Sequence, residues 1–119
     1  PLHVSDWMPT LCKLTGTDPG GDLKWDGMDV WPILTGAAKP IPPRVLYTKG
    51  PGGRSAALHE GAWKLIRHGS RHELFHIDKD PNEKTNLADK QPEILARLRK
   101  RLEAEAKRDN DALPGKATR

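Results

Sequence analysis

His68, His72 and His76 stand four residues apart, a spacing that on a helix would stack three imidazoles along one face where they could share a metal ion. Their neighbours point elsewhere, since Gly69-Ser70 reads as a turn and Leu74, Phe75 and Ile77 as a strand-like apolar run, so metal binding is not expected there. Asp78, Asp80 and Glu83 bring three carboxylates close together, but the central glycine and the correctly spaced bidentate glutamate of an EF-hand loop are missing. Gly50-Pro51-Gly52-Gly53-Arg54 lacks the Gly-Lys-Ser/Thr ending through which a P-loop holds phosphate, and reads as a hairpin loop. Cys12, the single cysteine, lies beside Leu11 and Leu14 in a helical stretch and is expected to be a buried structural thiol. His3, near a helix start, has no carboxylate paired with it by spacing and is read as structural.

The elements that must position these residues follow from turn chemistry and periodicity. Ser5 or Asp6 would cap a helix running through Thr15, with Pro9 still near its first turn and Gly16 ending it. A turn-rich connection over 17–24 leads to Trp25-Asp26-Gly27-Met28-Asp29-Val30-Trp31, read as a packed loop with a short helix near 32–34. Pro40, Pro42 and Pro43 form an extended crossing. Strands are then expected over 44–48, 56–59, 62–67 and 73–77, with turns at Glu60-Gly61 and His68-Gly69-Ser70. Asp80-Pro81-Asn82 stops the last strand. Pro92 suits the first turn of a helix in which Leu95, Leu98 and Leu102 recur at helical spacing through Arg108. The simplest assembly is a small antiparallel meander covered by the terminal helix, an α+β arrangement.

A length of 119 residues allows one domain or subdomain with a modest core. With 11 Gly, 11 Pro and 30% charged residues, much of the chain must be loop or solvated surface, yet four Trp argue against general disorder. Arg97, Arg99, Lys100 and Arg101 are the densest part of a net charge of +4 and read as a solvated helix face. No basic groove with interleaved aromatics points to nucleic acid, no apolar run is long enough to span a bilayer, and no basic leader precedes a hydrophobic core. Beginning at Pro1, the chain reads as an excised piece.

Taken in order, four segments resemble the C-terminal part of sulfatases, especially type B-like arylsulfatases. These are His3-Val4-Ser5-Asp6-Trp7-Met8-Pro9-Thr10-Leu11 with Leu14-Thr15-Gly16, and Trp25-Asp26-Gly27-Met28-Asp29-Val30-Trp31 with Leu34-Thr35-Gly36. The others are Ala56-Ala57-Leu58-His59-Glu60-Gly61-Ala62-Trp63-Lys64-Leu65-Ile66 and the junction from Leu74 to Ala88. The departures are local: relatives commonly carry Arg at the place of His59 and Asp at that of His76, and the link between Thr48 and Ala56 is short. Substrate identity therefore does not carry over.

The resemblance implies a parent enzyme of alkaline-phosphatase-like α/β fold that hydrolyses sulfate esters of small molecules or glycans. In it, a formylglycine made within Cys/Ser-x-Pro-x-Arg attacks sulfur beside a Ca2+ ion. This chain has no such motif, Cys12 being followed by Lys13-Leu14-Thr15-Gly16, so the formylglycine, the Ca2+ and the catalytic residues are expected in a missing N-terminal domain that would be its partner. Residues 1–43 would then end the catalytic domain, 44–108 form the sheet-plus-helix subdomain, and 109–119 a flexible tail. The chain's own role would be structural, with Arg54, Ser55 and His59 lining the substrate entrance around the glycine-rich loop and the strand after it. Family members are often exported, which implies a periplasmic or secreted parent. The alternatives are a noncatalytic binding module derived from a sulfatase and, less favoured, a phosphoester hydrolase of the same superfamily.

Overall fold

Alternating apolar positions bounded by glycine turns give four strands, β1 (Val45–Lys49), β2 (Ser55–Glu60), β3 (Trp63–His68) and β4 (Arg71–His76). They form one antiparallel sheet in the order β1-β2-β3-β4, the expected meander. The computed structural model describes residues 2–20, 25–37 and 44–108. The predicted crossing at 40–43, the end of the connection at 21–24 and the tail at 109–119 lie outside them. The chain divides into two units, Pro1–Pro42 and Pro43–Arg119.

In the second unit, Tyr47, Leu58, Leu65 and Leu74 stand directly opposite one another on successive strands. Leu58, Leu65 and Leu74 are fully buried beneath α3 (Pro92–Arg108), whose Leu98 and Leu102 close the core and whose Ile94 and Leu95 pack at its margin. Glycine starts both tight turns: Gly61 has φ 60 and Gly69 φ 59, matching the glycine-first pattern of two-residue hairpins whose twist suits the strands. The strand boundaries differ from the sequence expectation by one or two residues. β1 runs to Lys49, and β4 starts at Arg71, because pairing of His68 with Arg71 extends the ladder to the turn. Ile77 leaves the strand although its N–H donates to the Ala62 carbonyl at 2.8 Å.

The outer edge of β4 is occupied by the chain's own return. Leu87 N–H donates to the Leu74 carbonyl at 2.8 Å, and Asn86 Oδ1 accepts from the N–H groups of Leu74 and Ala88, each at 3.0 Å. These bonds protect an edge that would otherwise pair with another chain, and they set the entry into α3.

In the first unit a single 3-10 turn over Val4–Asp6 leads into α1 (Trp7–Thr15), which Gly16 ends in the left-handed region with φ 67. Asp6 stands at the N-cap of α1 as expected, but its side chain makes no capping bond there, and the cap bonds belong to the 3-10 turn before it. His3 is the N-cap of that turn, its Nδ1 accepting from Ser5 N–H, while the Asp6 carboxylate reaches back to His3 N–H at 2.8 Å. The other Asp6 carboxylate oxygen accepts from Met28 N–H at 3.1 Å. Buried Thr10 donates to the Asp6 carbonyl at 2.6 Å and accepts from Val30 N–H at 3.0 Å. The loop before α2 (Trp31–Leu34) is thus held to α1 through two buried polar side chains, and a Cβ at Gly27 would lie 2.0 Å from the Ser5 carbonyl oxygen. Only glycine allows that approach.

Because Leu98 is fully buried over the leucine row, Leu98→Ala should destabilise the second unit by about 2–5 kcal/mol through lost transfer energy and a residual cavity. Urea denaturation followed by far-ultraviolet circular dichroism measures this. A loss under about 0.5 kcal/mol would show that α3 does not close this core.

Candidate functional site

Arg54, Ser55 and His59 are not brought together as one group. The glycine-rich loop folds as a 3-10 turn over Pro51–Gly53, closed by Gly53 N–H to the Gly50 carbonyl at 3.1 Å and Gly50 N–H to the Ser55 carbonyl at 2.9 Å. Arg54 is exposed at the end of this turn, and its carbonyl accepts from Gly69 N–H at 3.0 Å, which ties the loop to the β3–β4 hairpin. Ser55 pairs with His68, and its hydroxyl packs so closely against Gly50 that a Cβ there would lie 2.1 Å away. His59 shares the sheet face of Ser55 but pairs with Leu46 and Lys64, four residues or about 13 Å along β2. Arg54 and Ser55 therefore mark one end of the sheet, and His59 belongs to the other half.

The residues that join Arg54 are ones the sequence presents as separate. His68 pairs with Arg71, and Arg67 with His72, on adjacent strands at the same end. Arg71 also contacts Glu73 at 3.0 Å. The arginines of α3, which look alike in sequence, are sorted by the fold: Arg97 pairs with Glu60, Arg101 contacts Glu105 at 3.2 Å, and Arg99 lies near His72. Burial lowers the His72 pKa from its ordinary 6.5, and the positive charges of Arg99 and Arg67 lower it further, against the raising effects of a hydrogen bond that the ring donates to the Ser70 backbone and of the charge of Glu103.

On a strand, the His68, His72 and His76 series loses the stacking it would have on a helix. His72 and His76 share a face about 13 Å apart, beyond a common ion's reach, and His76 packs edge-on against Trp63 with ring centroids 4.7 Å apart. Two carboxylates of the acidic turn, Asp80 and Glu83, are engaged internally. Asp80 accepts from Thr85 N–H at 2.7 Å, and this bond with that from Lys84 N–H holds its pKa below the ordinary 3.8. Glu83, at φ 54, binds Lys64 at 2.5 Å. Among the described residues, no group of three His, Cys, Asp or Glu side chains could hold a metal ion.

Cys12 is half-buried rather than fully buried as expected, because α1 turns Trp7, Leu11 and Leu14 outward and leaves the thiol at the rim of an open groove of about 520 Å³ beside Pro9 and Trp25. A smaller concavity of about 250 Å³ is lined by Leu2, Val4, Trp7, Val30 and Leu34, with His3 and Asp6 at its wall. The cap hydrogen bonds already engage both polar residues.

A small antiparallel sheet packed by a terminal helix is the architecture found in sulfatases of alkaline-phosphatase-like fold. The chain is similar to their C-terminal region. Arylsulfatase J of Mus musculus is 25% identical over 151 residues, covering 85% of this chain and 25% of its own. That span exceeds the 119 residues present, so the relative carries inserted stretches that this chain lacks. BT1596, a 2-O GAG sulfatase, is 28% identical with a TM-score of 0.65, covering 92% of this chain and 26% of its own. Ps i-CgsB shares the fold at 22% identity and a TM-score of 0.73, over 87% of this chain and 24% of its own. No family model matches the chain. It spans about a quarter of the length of these relatives.

The depressed pKa of His72 makes a directional prediction. A base that binds protons less readily folded than unfolded contributes stability that is complete above the unfolded pKa of about 6.5 and declines as pH falls from there toward the folded pKa. Nuclear magnetic resonance titration should place His72 below 6.5, and Arg99→Ala should raise it by removing one of the cations responsible. A midpoint at or above 6.5 in the unsubstituted chain would contradict this arrangement.

Proposed function

We propose that this chain is a C-terminal piece of a sulfatase, which supports the catalytic domain and forms one edge of the pocket for a sulfated glycan without supplying reacting groups. The carrying observation is the likeness of 85–92% of the chain to about a quarter of arylsulfatase J and of BT1596. A glycan substrate is favoured by the description of BT1596 as a 2-O GAG sulfatase. Two neighbours that share the fold point the same way: Ps i-CgsB has been captured with k-i-k-neocarrahexaose, and BT4656 with its substrate D-glucosamine-2-N,6-O-disulfate.

The residues here do not fit a formylglycine centre or a calcium site. The sequence contains no Cys/Ser-x-Pro-x-Arg, and Asp80 and Glu83 of the acidic turn are committed to Thr85 and Lys64. Both groups are assigned to the remainder of the parent enzyme. The chain's own contributions would be positional. Arg54, exposed on a loop anchored through Gly69, offers a guanidinium for charge-assisted bonds to sulfate, with Ser55 beside it, and His59 would meet the substrate further along β2. The exposed stripe of Val4, Trp7, Met8, Leu11 and Leu14, with Trp31 and Leu34, would be covered by the catalytic domain.

The purified chain should show no turnover of an aryl sulfate with calcium present, and a matured full-length enzyme containing it should be active. Hydrolysis by the chain alone would overturn the assignment of the reacting groups, and an inactive full-length protein would favour a noncatalytic binding module. In the active full-length enzyme, Arg54→Ala should raise KM several-fold, on the order of tenfold at most, with little change in kcat, because it removes binding and no reacting group. Unchanged kinetics toward several sulfated substrates would remove Arg54 from the pocket edge.

A further inference from the structure

The hairpin end of the sheet concentrates positive charge in a way the core does not require. Arg67 lies directly opposite His72 on the sheet face that carries Leu65 and Leu74, while His68 and Arg71 lie opposite each other on the other face. Arg54 joins them through the loop tied to Gly69, and Arg99 reaches the same end from α3. Among the described residues, Arg54, Arg67 and Arg99 make no ion pair, and the acidic groups here are Glu73, which contacts Arg71, and Glu103 near His72. The opposite end is balanced, with Glu60 on Arg97 and Glu83 on Lys64. Clustered cations that stay unneutralised despite their mutual repulsion fit a polyanionic ligand.

We infer that this end of the sheet binds a polysulfated glycan chain on its α3 side, with Arg67 and Arg99 gripping successive anionic groups beside His72 and Arg54 adding a further cation from the loop at the same end. The cations come from the glycine-rich loop, β3 and α3, more than one sulfate ester can engage, so the ligand must carry several charges. Nucleic acid is disfavoured because no Trp, Tyr or Phe lies on the two rungs formed by Ser55, His68 and Arg71 and by Ala56, Arg67 and His72, leaving nothing there for bases to stack on. The choice of a sulfated glycan rests on the sulfatase reading, whereas the charge cluster stands independently of it.

Titration of the chain with a heparin hexasaccharide, read by calorimetry and by the His72 ring resonances, tests this. Binding should weaken as salt rises, and it should raise the His72 pKa as sulfates offset the fields of Arg99 and Arg67. Arg67→Glu with Arg99→Glu should weaken binding at least about tenfold, while the charge-matched pair Arg97→Glu with Arg101→Glu should change it less than about threefold. If the first pair impairs folding by circular dichroism, Arg54→Ala on the exposed loop should still weaken binding about threefold. Equal losses from both pairs, an unmoved His72, or equal affinity for inorganic sulfate would overturn the site. Equal affinity for single-stranded DNA of the same charge would overturn its assignment to a glycan. Absence of binding leaves hydrolysis by the full-length enzyme untouched, and a full-length protein without sulfatase activity whose chain still binds heparin would sink the enzymatic reading alone.

Discussion

Leu58, Leu65 and Leu74 sit side by side on three strands, fully buried, and every other feature of the second unit depends on covering them. A four-stranded meander has one face it must hide, and α3 is the only α-helix of that unit among the described residues. Leu98 and Leu102 hide that face and so fix the helix's rotation about its axis. With that rotation set, Arg97 meets Glu60 and Arg99 is directed to His72. The charge pattern of the sheet ends is a consequence of apolar packing. Electrostatics alone would not have placed two arginines around one imidazole.

The first unit is organised differently, around polar groups. Asp6 and Thr10 are almost wholly buried and engage the backbone of Met28 and Val30, so the tryptophan-containing loop is held by hydrogen bonds rather than by a leucine core. The apolar side chains nearby are turned out: Trp7 is 53% exposed, Met8 61% and Leu11 50%. A helix whose apolar stripe faces outward while its polar residues face in has its burial requirement unmet within its own unit.

Residues that attract chemical readings by type are used here for architecture. Asp80 and Glu83 fasten the turn that returns the chain along β4, Asn86 takes over backbone bonding at the sheet edge, and His3 closes the cap of the first helical turn. Each carboxylate or ring is satisfied by a neighbour. Among the described residues Arg54, Arg67 and Arg99 make no ion pair, and such guanidinium groups are suited to holding an anion.

Much of this fold was legible because it is local. Glycines at hairpin turns, apolar alternation along short strands, Pro92 at the start of a helix and leucines at 95, 98 and 102 depend on spacing within a few residues, and that spacing sets element type and meander order. The likeness to sulfatases was legible for the same reason, in four segments each read in sequence. The separation of His59 from Arg54, the outward turn at Cys12 and the His3 cap were not, and neither was the sorting of three arginines that sit within five residues on α3. Cross-strand hydrogen bonding makes neighbours of Arg67 and His72 and parts Ser55 from His59, while burial of Leu98 decides which way Arg99 faces. Local spacing determines period and turn. Which charges share a surface is decided only when register and apolar packing bring distant segments together.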